Sequence, residues 1–151
     1  MTTMTRKLWT AAAILGLGVS SAAPAAAATE RTQELKLSGN PHVTESNSLT
    51  LKAKQIASGT LERVCWTFIF ADDLLDPGEG LTITPDGLDP DSGPGFFNGS
   101  TEPTVARTLC VDDPSFLPVI ADGNSSEQFV VVADPGSTFT VSSVTMTLTY
   151  V

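Results

Sequence analysis

The chain has 151 residues, with 8 Lys and Arg, 17 Asp and Glu, one histidine and two cysteines. The acidic excess excludes a nucleic-acid binder, which needs a basic footprint to exchange for counterions, and electrostatic docking on anionic membranes. So few histidines and cysteines remove most metal-centre and catalytic-triad chemistry before any motif is sought.

Residues 1–28 read as a Sec-type export leader. Arg6 and Lys7 supply the basic start, Leu8–Val19 the apolar run, and Ala26-Ala27-Ala28 the small-residue cleavage pattern. The apolar run is about a dozen residues, short of the roughly 20 that a spanning helix needs. No cysteine near the cut offers lipid attachment, and Arg6-Lys7 stands where a twin-arginine leader would have its arginine pair. Cleavage is expected after Ala28. Residues 29–151 then form one secreted, extracellular domain with no membrane anchor.

From residue 29 onward the chain holds 16 Thr and 12 Ser but only 6 Ala, a composition that suits strands better than helices. Period-2 alternation is the recurring pattern. Leu49, Leu51 and Ala53 alternate with Thr50, Lys52 and Lys54. Val64, Trp66, Phe68 and Phe70 alternate with Cys65, Thr67 and Ile69. Val105, Leu109 and Val111 share a face, with Arg107 as the odd member. Phe129–Ala133 is apolar throughout, as in a strand buried on both faces.

Phe139 and Val141 then lie on one parity, and Val144, Met146, Leu148 and Tyr150 on the other. One continuous strand needs an extra residue near Ser142-Ser143, so a β-bulge is expected there in preference to two strands meeting. Weaker strands at Thr32–Leu37, Leu81–Thr84 and Phe116–Ile120 complete the set. The fold class is all-β, a single antiparallel β-sandwich of about seven or eight strands. Its unpaired edges make edge-to-edge association conceivable.

An even cysteine pair in an exported chain implies a Cys65–Cys110 disulfide. Both cysteines fall on the less hydrophobic parity of their strands. The expected bridge is therefore a cross-strand link on one sheet's outer side, not one through the core.

Residues 76–103 contain 5 Pro and 6 Gly, a long loop with room for little beyond one short strand. Asp86, Asp89 and Asp91 within it are a candidate calcium set. They do not make an EF-hand, because Gly93 and Pro94 take the fifth and sixth positions and Ser100 the twelfth. Phe96-Phe97 can pin the loop to the core or anchor a partner, with pinning favoured. Asn98-Gly99-Ser100 and Asn124-Ser125-Ser126 are glycosylation sequons that matter only in a eukaryotic secretory pathway.

His42, in a turn after Pro41, has no serine or thiol assigned to it, and no catalytic residue is named. The leading expectation is a non-catalytic binding or cell-envelope module whose partner is a protein or envelope component. Two alternatives stand beside it. One is a small hydrolase using loop carboxylates, Asp73 with Asp76 or Glu79. The other is a calcium-stabilised structural module. Apart from that calcium, no cofactor is expected.

Overall fold

The computed structural model describes residues 27–89, 92–123 and 126–151. The leader expected at 1–28 lies outside them except for Ala27 and Ala28. In chain order the strands are β1 (Thr29–Glu34), β2 (Lys36–Ser38), β3 (His42–Val43), β4 (Leu49–Ala53), β5 (Leu61–Phe70), β6 (Gly80–Pro85), β7 (Gly95–Phe97) and β8 (Ala106–Val111). A one-turn helix, α1 (Leu117–Ile120), precedes β9 (Glu127–Ala133) and β10 (Phe139–Tyr150).

The strands form two antiparallel sheets. The first runs β1-β10-β5-β8, with β3 joined to the start of β10; the second runs β2-β4-β9-β6-β7. The chain changes sheets between β1 and β2 at Leu35, which is buried and donates its amide to the Val144 carbonyl at 2.9 Å.

Strand β5 shows why the layers form. Its β-branched and aromatic residues suit extended backbone, and alternation turns Val64, Trp66, Phe68 and Phe70 into the core with at most 3 % exposure. From the facing sheet Leu49, Leu51, Ile83, Phe129 and Val131 meet them, all at 0 % exposure. Trp66 packs edge-on against Phe129 with ring centroids 5.4 Å apart, and Phe70 meets Phe139 in the same way at 5.6 Å. Aromatic side chains of this size carry the largest apolar areas a small core can bury.

The bulge in β10 stands where parity requires it. Val141 pairs with Phe70 and Ser143 with Ile69, so Ser142 is the extra residue. Phe139 and Val141 on one side of it, and Val144, Met146, Leu148 and Tyr150 on the other, all face the core.

Four sequence expectations change. Phe129–Ala133 is not buried on both faces: Phe129, Val131 and Ala133 are buried, while Val130 and Val132 are half-exposed. Valines suit the half-open outer face of a central strand as well as its core face. Phe116–Ile120 is not a strand, because Pro118 near the start of α1 fits a helix's first turn and cannot donate to a ladder. Val105 lies just before β8 and is 60 % exposed, so it does not share the shelter of Leu109 and Val111. Finally, the loop holds β7 beside the expected β6, and with β3 and the division of Thr32–Leu37 between β1 and β2 this raises the count above eight.

Candidate functional site

The 76–103 segment is fastened to the domain at both ends. After β5, Asp72 takes a positive φ of 67° and Asp73 donates its amide back to the Ala71 carbonyl at 2.8 Å, a tight three-residue turn. The Glu79 carboxylate then bridges two segments. One oxygen accepts the Asp76 amide at 2.8 Å and the other the Thr138 amide at 2.9 Å. Ser137, buried, accepts the Gly80 amide through its hydroxyl at 3.0 Å. Gly80 is required here, since a Cβ would strike the Asp134 carboxylate and the Phe96 carbonyl oxygen.

Asn98 secures the other end. It is 2 % exposed, and its side-chain amide donates to the Leu75 carbonyl at 2.9 Å and the Glu102 carbonyl at 3.2 Å. Its side-chain oxygen accepts the Ser100 amide at 3.1 Å, and its backbone exchanges bonds with Gly78 and Glu79. Every polar atom of this side chain is engaged, as burial demands. Read from sequence, Asn98 was only the first residue of a sequon. Burial takes it out of reach of a modifying enzyme in the folded protein.

Between these fastenings the two phenylalanines separate. Phe96 packs against the core and carries the Arg107 guanidinium 4.2 Å from its ring centroid. Phe97 points the other way and is 62 % exposed. Adjacent residues on a strand must diverge in this manner. One of the pair therefore pins the segment, and the other is displayed.

Asp72 and Asp73 sit on a turn, and Glu79 spends both oxygens on backbone amides. Next to them lies a group that sequence did not suggest: His42 Nδ1 is 3.0 Å from the Thr140 hydroxyl and 3.7 Å from an Asp73 oxygen. A relay needs the hydroxyl and the carboxylate on opposite ring nitrogens, with the imidazole between them. Both approach Nδ1 here, so the trio ties β3 and β10 to the end of β5.

Of the calcium set, Asp91 lies outside the described residues. Asp86 is exposed and donates its amide to the Gln128 carbonyl at 2.8 Å; Asp89 is exposed in the following turn. Among the described residues no three His, Cys, Asp or Glu side chains gather as a metal site. Asp86 instead belongs with Glu127, whose carboxyl is pushed up to about 7 by partial burial and then by the negative charges of Asp122 and Asp86. No spacing in the sequence joins residues 86, 122 and 127. The β6–β9 pairing brings residue 86 beside the start of β9.

Cys65 and Cys110 sit directly opposite each other on β5 and β8 with Cα atoms 4.0 Å apart, joined by a disulfide. Cys65 is half-buried and Cys110 exposed, so the bridge lies on the outer face of the first sheet. Next to it, at the start of β5, an open groove of about 830 Å³ runs between Leu61, Arg63, Asp112, Leu117 and Pro118. No helix among the described residues is long and apolar enough to cross a membrane.

No known protein-family model matches the chain, and no curated protein sequence matches it.

Proposed function

We propose that the protein is exported by its leader, cleaved after Ala28, and acts outside the cytoplasmic membrane as a non-catalytic binding module. Its partner is a protein or an envelope component, met through the 76–103 segment. The observation that carries this reading is Phe97. An aromatic side chain 62 % exposed is held out on a segment whose inner side is fixed by Asn98, Glu79 and the Phe96–Arg107 stack. Holding an apolar anchor in place before contact lowers the ordering cost of binding. Aromatic anchors of this kind dominate the energy of many interfaces. The disulfide fits an oxidising compartment, where such bridges form and persist.

The test is retention on the producing cell's envelope fraction by the wild-type protein and by Phe97→Ser. The substitution is expected to abolish retention while leaving the melting temperature unchanged, because Phe97 contributes little to the core. Equal retention of both proteins would overturn the reading.

A further inference from the structure

Natural sheets defend their edges by brevity, by charge or by cover, because an open strand invites another strand. Three edge strands here are short: β2 and β7 have 3 residues each, and β3 has 2. Strand β1 carries Glu30, Arg31 and Glu34 within 6 residues. Strand β8 differs. It is 6 residues long, lacks proline, and among the described residues pairs only with β5. Its one charge, Arg107, leans over Phe96 of the other sheet and so does not guard the edge.

The hydrogen-bond phase shows which groups are open. Phe70 donates to the Val105 carbonyl at 2.9 Å, so residues 105, 107, 109 and 111 turn their backbone groups toward β5. Ala106, Thr108 and Cys110 therefore present theirs outward. These three are all exposed and centred on Thr108. Read outward from Thr108, the strand is matched to itself. Arg107 answers Leu109, Ala106 answers Cys110, and Val105 answers Val111.

We propose that β8 is a self-association edge, pairing antiparallel with β8 of a second copy about a two-fold axis through Thr108. This register joins three outward residues of each copy, giving about six backbone hydrogen bonds, and opposes no like charges. It extends the first sheet across both copies, with the Cys65–Cys110 bridge at its seam on the outer face. An isologous contact of this kind closes at two copies and does not propagate. Both copies carry the same acidic excess, so the association is weak at low salt and strengthens as salt screens their repulsion.

Sedimentation velocity of the exported, oxidised protein tests this, from micromolar to about millimolar concentration and at salt from about 20 mM to about 0.5 M. The expected result is a monomer–dimer equilibrium, tighter at high salt. Thr108→Lys, which faces its own charge across the axis, weakens it at least tenfold. Thr32→Lys, on the outer face of the other long edge, leaves it unchanged. Amide exchange in the wild-type protein supplies an independent readout. The Ala106, Thr108 and Cys110 amides should slow as concentration rises. A monomer under all conditions, dimerisation that survives Thr108→Lys or is lost in Thr32→Lys, or exchange at these amides independent of concentration would each overturn the proposal.

Discussion

The Arg107 guanidinium lies 4.2 Å from the centroid of the Phe96 ring, joining the edge of one sheet to the edge of the other. Together they close the side of the sandwich. Phe96→Ser removes a half-buried ring and is expected to cost about 1–3 kcal/mol. Arg107→Lys keeps the charge but loses the flat stacking surface, at about 0.5–1 kcal/mol. Phe97→Ser should fall within about 0.5 kcal/mol of wild type, as exposed substitutions do. Urea unfolding of the three variants checks the order. A Phe97→Ser cost equal to that of Phe96→Ser would show that both rings pin the segment.

Asn98 separates a hydrogen-bonding role from a packing role. Asn98→Ala leaves the Leu75 carbonyl with only the Thr104 amide and removes the bonds to the part-buried Glu102 carbonyl and from the Ser100 amide, and is expected to cost about 1–3 kcal/mol. Asn98→Asp is nearly the same size, yet it points an acceptor at those two carbonyl oxygens and should cost more than alanine. If packing alone mattered, aspartate would be the milder change. Denaturant midpoints of the two variants decide it.

How far the sequence carried depended on whether a feature was local. Parity along β5 and β10 placed the core face, the bulge and the outward cysteines, because alternation is written in consecutive residues. The β1–β2 sheet switch at Leu35 and the 2-residue β3 leave no period to read. Val130 and Val132 misled, since a valine looks the same on either face of a strand. In the loop, turn residues hid β7, and the roles of Glu79 and Asn98 depend on partners brought near by folding. The Phe96-Phe97 pair was visible as a pair; which ring would point outward was not.

Glu127 gives the domain a pH dependence of unusual sign. Its carboxyl is pushed up to about 7 from an ordinary value of 4.5, first by burial and then by Asp122 and Asp86. The folded state therefore holds this proton more tightly than the unfolded chain does. The linked stability is fully present below about pH 4.5 and is lost as pH rises through about 7. Most carboxylates engaged in folded proteins behave in the opposite way. Glu127→Gln, uncharged at every pH, should raise the melting temperature at pH 8 and flatten the slope between pH 4.5 and 7. Melts of both proteins across that range test the sign, and parallel curves would place the proton elsewhere.

The extra residue at Ser142 makes a length change more informative than a substitution. Deleting Ser142 leaves Phe139, Val141, Val144, Met146, Leu148 and Tyr150 at strict alternation, so a regular strand can still bury all six. The cost should be confined to the lost local twist, about 1–3 kcal/mol. Deleting Ser142 and Ser143 together removes one residue too many. With Phe139 and Val141 held inward, Val144, Met146, Leu148 and Tyr150 are then turned to solvent. Each buried side chain of this kind is worth about 1.5–3 kcal/mol, so four of them rival the whole stability of a domain. The single deletion is expected to unfold cooperatively with near-native amide protection in β5. The double deletion is expected to yield no folded protein. Equal failure of both would mean that the bulge is itself required, as the bend that brings Thr140 to His42 and Val141 to Pro41.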